Sequence, residues 1–85
     1  MFYVYVLKSE KDQRLYIGRT SDLKQRLKEH NVGQSRSTKI RTPFSLVYYE
    51  SYKSSKDASI REHRLKQFKN SYVELKKRIG NSLKA

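Results

Sequence analysis

The sequence predicts an α+β fold: a three-stranded, mostly antiparallel sheet flanked by helices in the order β-β-α-β-α-α. Three observations predict it. Residues 2–8 and 13–20 are two short β-prone runs separated only by a polar tetrapeptide, SEKD (9–12), the signature of a hairpin. FSLVYYES (44–51) is a third β-prone run, entered through Pro43. Around these runs, capping residues followed by apolar positions three and four apart mark helices.

The elements follow in order. In the first run, alternation puts Phe2, Val4 and Val6 on one face and Tyr3, Tyr5 and Leu7 on the other. With SEKD as a four-residue loop, Lys8 pairs with Gln13 and Tyr5 falls opposite Tyr16. Both rings then share a face with Gly18, whose missing side chain allows a ligand or another backbone to approach closely. Thr20 or Ser21 caps a helix over about 22–30, ended by Asn31 and Gly33. Residues 34–42 are basic and Ser/Thr-rich, and a mobile surface loop is expected there. FSLVYYES is expected as a buried third strand. A Ser/Asp cap leads into a helix over about 57–69, with Ala58, Leu65, Phe68 and Tyr72 as its inward stripe. Ser71 with Glu74 forms a capping box for a last helix, which Gly80 stops. A single domain over 1–80 with a tail over 81–85 accounts for the chain, since 85 residues leave no room for a second core.

Composition narrows the partners. Twenty Lys and Arg against eight Asp and Glu give a formal net charge of +12. Such a chain suits a polyanion, because cations that neutralise phosphates release counterions. Nucleic acid is the favoured partner and an anionic membrane surface the lesser one. The absence of cysteine excludes disulfides, thiolate zinc sites and cysteine nucleophiles. The longest apolar run, FYVYVL (2–7), falls far short of the roughly 18 residues a membrane span needs. A soluble, cytoplasmic monomer with no membrane partner is expected.

Several residues carry chemistry, each beside a plainer reading. Tyr5 and Tyr16 serve equally as a cross-strand aromatic pair that stabilises the hairpin. Leu23 and Leu27 face the core, and Arg26 and His30 share a neighbouring helix face at i, i+4. That face reads alone as a solvated basic side, with Arg26 paired to Asp22. Glu62 lies between Ala58 and Leu65, and a carboxylate on an apolar helix side needs a cation. An Arg or Lys supplies one reading; a divalent metal completed by water and phosphate supplies the other.

As an ordered set, these residues resemble the GIY-YIG nuclease superfamily, specifically its small single-domain prokaryotic branch. YVY (3–5) stands at the first motif and YIG (16–18) matches the second. Arg26 in DLKQRLKEH, HN (30–31), Gly33, ST (37–38), PFSLVYYE (43–50) and ASIREHRLK (58–66) follow in register, covering about residues 1–79. Tyr3 and Val4 replace the Gly and Ile of the first motif, while Tyr5 is retained.

The resemblance implies that Tyr5 and Tyr16 are the motif tyrosines, Arg26 the catalytic arginine and His30 a polar active-site residue. It implies that Glu62 binds a single divalent metal, Mg²⁺ or Mn²⁺. Tyr5 would act as general base or orient the water, its pKa lowered by the surrounding cations. Tyr16 would hydrogen-bond the scissile phosphate or share the base role. Arg26 would clamp phosphate oxygens with its bidentate fork. Gly18, Arg19, Gln34, Arg36, Lys39 and Arg41, with the Lys-rich C-terminal helix, are candidate nucleic-acid contacts. The expected activity is metal-dependent endonucleolytic cleavage of DNA in repair, recombination or processing. That cleavage is directed by structure, single-stranded or branched, rather than by sequence. The alternative is a non-catalytic basic nucleic-acid-binding module that keeps the fold; a ribosome-associated RNA binder is a third reading.

Overall fold

A computed structural model describes all residues, 1–85. Its elements are β1 (Phe2–Ser9), β2 (Leu15–Thr20), α1 (Leu23–Asn31), a 3-10 turn (Lys39–Arg41), β3 (Phe44–Tyr52), α2 (Ser55–Gln67), α3 (Lys69–Arg78) and α4 (Gly80–Lys84). The sheet order is β2-β1-β3, with both pairings antiparallel. The expected α+β fold is therefore present.

β1 is the central strand, so its continuous apolar run buries both faces. Val4 and Val6 pack with Ile17, Ala58, Leu65, Leu75 and Ile79. On the opposite face, Tyr5, Leu7 and Phe44 meet Leu23 and Leu27 of α1. The third strand departs from expectation. β3 is an edge strand in which only Phe44 is buried, while Leu46 and Tyr49 are exposed. β propensity reports a residue's fit to a pleated surface and is blind to which strand lies in the middle.

The hairpin register also differs. Tyr5 faces Gly18, and Tyr16 faces Leu7. The ladder runs one step further than expected, because the Ser9 N–H donates to the Arg14 carbonyl at 2.9 Å. Ser9 Oγ accepts the Lys11 and Asp12 N–H groups and so organises the loop. Gln13 adopts φ 63° at its end. A slip of two residues preserves the faces. Tyr5, Tyr16 and Gly18 still share one.

Local chemistry moved several boundaries. Asp22, rather than Thr20 or Ser21, caps α1 by accepting the Gln25 N–H at 3.0 Å. Ser54 caps α2, which starts earlier than expected. The Ser71–Glu74 pair lies inside α3, which carries no side-chain cap. Phe68, read as core, sits at the α2–α3 junction and is 56% exposed. Gly80 opens α4 instead of stopping the chain's helices, and Leu83 from the expected tail packs on the core. Lys8 Nζ donates to the Leu83 carbonyl at 2.7 Å and holds that turn down.

Residues 34–42, expected as a mobile loop, contain the 3-10 turn and a fully buried Thr38. Gly33 supplies the left-handed turn into the segment, at φ 80°. Asn31 bonds both the N–H and the carbonyl of Phe44, fixing the far end. On the α2 face, Glu50 accepts two bonds from the Arg61 guanidinium, each 2.9 Å, and one from each of the Tyr48 and Tyr52 hydroxyls.

Candidate active site

The sheet and α1 together assemble a cluster from three elements. β1 contributes Tyr5, β2 contributes Tyr16, and α1 contributes Arg26 and His30. Ring centres lie 6.5 Å apart for Tyr5–Tyr16, 5.9 Å for Tyr5–His30 and 5.0 Å for Tyr16–His30. Phe44 closes the cluster against Tyr16 and His30.

His30 is fully buried, and both its ring nitrogens are engaged. Tyr5 Oη lies 2.9 Å from Nε2, and Thr38 Oγ1 lies 2.7 Å from Nδ1. The Thr38 hydroxyl has the Ser35 carbonyl to donate to, at 3.5 Å, which leaves its oxygen to accept the Nδ1 proton. Nε2 then carries the lone pair that receives the Tyr5 O–H. Burial pushes the His30 pKa down, and the Arg26 charge pushes the same way against a weaker pull from Glu29. A neutral imidazole, poised as acceptor, results.

Gly18 has a definite reason to be glycine. A Cβ there would overlap the Tyr5 hydroxyl and ring end, which cross directly over it. The space expected to admit a ligand is filled by Tyr5 itself.

Tyr5 corrects a second expectation. Its pKa is raised, because burial outweighs the neighbouring Arg26 guanidinium and both Tyr16 and Glu62 add to the rise. The cations do not make it a preformed phenolate. Arg26 does not pair with Asp22; Nη1 binds Glu29 Oε1 at 2.9 Å while the guanidinium also bears on Tyr5.

Glu62 meets cations of the chain itself. Oε1 binds Arg19 Nε at 3.3 Å and Oε2 binds Lys66 Nζ at 3.0 Å. Lys66 Nζ also stands 5.9 Å from the centre of the Tyr16 ring, bringing α2 to the edge of the cluster. No three His, Asp or Glu side chains converge into a complete metal cage. One carboxylate nevertheless suits Mg²⁺ or Mn²⁺ where water and substrate phosphate complete the shell. Its two partners are about two-fifths exposed, and exposed pairs contribute only ~0.2–1 kcal/mol each, so a divalent ion competes readily. The donor set fits.

The basic residues divide. Arg36 and Lys39 are exposed and enter no ion pair, as does Gln34 among the uncharged ones. Arg41 is turned to the hairpin instead, with Nε 2.8 Å from Asp12 Oδ2 and its guanidinium 5.4 Å from the Phe44 ring centre. That contact holds the Asp12 carboxyl down at about 2. Arg19 is committed to Glu62. Sequence reasoning did not find Thr38 as the partner of His30; the signal available was a buried histidine's need for two partners near a Ser/Thr-rich segment.

Comparison with known proteins identifies similar chains. The GIY-YIG catalytic domain matches residues 1–79. A UPF0213 protein of Pediococcus pentosaceus is 40% identical over 84 residues, covering 96% of this chain and 87% of that protein. A UPF0213 protein of Bacillus velezensis is 41% identical over 81 residues, covering 89% and 81%. The solution NMR structure of a UPF0213 protein from Bacillus halodurans superposes with a TM-score of 0.54 at 34% identity, covering 89% of this chain and 86% of that one.

Proposed function

Because the chain belongs to the GIY-YIG catalytic-domain family, and within it to the UPF0213 proteins, we propose that it is a divalent-metal-dependent endonuclease that hydrolyses phosphodiester bonds in DNA. The observation that carries this reading is the relay Tyr5–His30–Thr38 beside Arg26. Burial alone asks each of these groups for a partner; what favours chemistry over packing is that the satisfied pair lies beside the Arg26 guanidinium and the half-buried Tyr16.

The residues act as follows. Water attacks phosphorus while Tyr5 Oη takes its proton and passes its own to His30 Nε2. That transfer accommodates the raised pKa of Tyr5, since no free phenolate has to exist before the attack. The hydrogen bond from Nδ1 to Thr38 keeps the imidazole in the receiving tautomer. Arg26 binds nonbridging phosphate oxygens as negative charge builds on them. Tyr16, half-buried at the edge of the cluster, donates its hydroxyl to the phosphate. Glu62 would hold the Mg²⁺ or Mn²⁺, whose chemistry is charge neutralisation at the phosphate and the departing oxygen. Arg36 and Lys39 hold the flanking backbone.

We read the substrate as selected by shape, as single-stranded or branched DNA, which suits repair, recombination or processing. The test is incubation with Mg²⁺ or Mn²⁺ and a panel of single-stranded, duplex and branched DNA, with Glu62→Ala in parallel. Metal-dependent cleavage by the wild type alone is expected; cleavage unchanged in Glu62→Ala sinks the metal assignment.

A binding-only module is the second reading, favoured by the two cations on Glu62 and by Tyr5 being 2% exposed. It requires salt-sensitive binding with no metal-dependent nicking of any substrate in the panel.

A further inference from the structure

The face of the sheet that holds the candidate site is only partly covered. Leu23 and Leu27 of α1 roof Tyr5, Leu7 and Phe44. Beyond that roof lie Tyr3 and Tyr49, whose rings meet edge to face at 5.8 Å and 71°. Tyr49 is 52% exposed on an edge strand, which leaves its ring accessible to a partner. Tyr49 also stands directly opposite Tyr5 across the β1–β3 ladder. Directly opposed residues project from the same face about 5 Å apart. The Tyr5 ring leans away over Gly18 of β2, so a planar ligand on Tyr49 sits about two strand spacings, roughly 10 Å, from the hydroxyl that begins the relay, a reach that a neighbouring nucleotide of the same strand spans.

The surroundings specify its chemistry. α1 carries Lys24 and Lys28, both exposed and neither in an ion pair, in a chain of net charge +12. An aromatic ring held by a second ring, on a sheet face that a helix bearing unneutralised lysines packs against, fits a flat base joined to phosphates. In a duplex each base face is covered by its neighbours, whereas an unpaired nucleotide presents a free face.

We propose that Tyr49, braced by Tyr3, is a stacking subsite for an unpaired base of single-stranded DNA, flanking the phosphate at Tyr5 and Arg26. The inference takes the position of that phosphate from the nuclease reading above, but stacking itself is measurable without cleavage.

The experiment is fluorescence anisotropy in EDTA, with labelled oligo-dT of about 15 nucleotides and a duplex of equal length. Tyr49→Ala is expected to weaken oligo-dT binding about tenfold. Tyr49→Phe keeps the ring and the affinity, and all three proteins bind duplex alike because phosphate contacts carry that affinity. Wild-type affinity of Tyr49→Ala for oligo-dT, an equal loss on duplex, or a loss in Tyr49→Phe matching that of alanine overturns the subsite. Absence of cleavage with the binding difference intact removes the nuclease reading and leaves the subsite standing. Cleavage with no binding difference does the reverse.

Discussion

The Tyr5 hydroxyl donates to His30 Nε2 across 2.9 Å, joining two buried residues 25 positions apart. The bond satisfies the polar atoms of two buried groups, and the packing around each is complete without it. Tyr5 is already packed between Tyr16 and α1, and His30 already between Tyr16 and Phe44.

Tyr5→Phe removes one oxygen and leaves the packing. Cleavage by this variant is expected to fall at least about a hundredfold while the fold is kept at a cost of about 1–3 kcal/mol, because the buried His30 Nε2 loses its donor; single-turnover rate and thermal unfolding measure the two. A rate within twofold of wild type removes Tyr5 from the relay.

The pH profile reports His30. Its charge environment is Arg26 and Glu29 from α1, with the Tyr5 and Tyr16 hydroxyls from the sheet. Its pKa lies below the usual value near ~6.5, so the imidazole is neutral and receptive at neutral pH. The rate should hold steady down to about pH 6.5 and fall only below it, and His30→Gln should lower the rate and flatten that limb. Stability has the same sign. The unfolded chain binds the proton first as pH falls below ~6.5, so the folded state loses stability from there until its own lower pKa is passed. Urea melts from pH 7 to 5 on wild type and His30→Gln measure the difference.

Gly18→Ala places a methyl group where the Tyr5 hydroxyl lies. The ring must move, at a cost of about 1–3 kcal/mol in unfolding free energy, and the His30 bond is lost with it. Denaturant unfolding and cleavage should both decline. A variant of wild-type stability would show that Tyr5 has another resting place.

Glu62→Gln keeps the shape and discards the charge. Metal-dependent cleavage should disappear, while nucleic-acid binding in EDTA holds or tightens because Arg19 and Lys66 are released to meet phosphate. Anisotropy and cleavage on the same preparation separate the two effects, and weaker binding would place Glu62 in support of the fold.

Glu50→Gln probes the opposite face. Burial pushes the Glu50 carboxyl up, but the bonds from Arg61, Tyr52 and Tyr48 outweigh it and hold it below its usual value. Its contribution is present above about pH 4.3 and lost as pH falls. The substitution leaves the Arg61 guanidinium without its anion and should cost about 2 kcal/mol, roughly 10 °C in melting temperature, with cleavage intact. The Tyr52 hydroxyl, held up at about 12 by burial and Glu50, should titrate nearer its usual ~10 in this variant.

By itself the sequence determined the order of the strands and of the first three helices, the shared face of Tyr5, Tyr16 and Gly18, and the i, i+4 relation of Arg26 and His30. Each follows from a local period, two along a strand or 3.6 along a helix, and a two-residue slip in register leaves the first of them intact. Which strand lies in the centre, which hydroxyl fills the space above Gly18, and which cations reach Glu62 were decided only in three dimensions. So was Thr38, eight residues beyond His30 and separated from it by a turn at Gly33. The direction of the Tyr5 pKa belongs there too. Twenty cationic residues argue for a lowered value by count, but burial is a property of the packed core, and at Tyr5 it outweighs the one guanidinium that comes close.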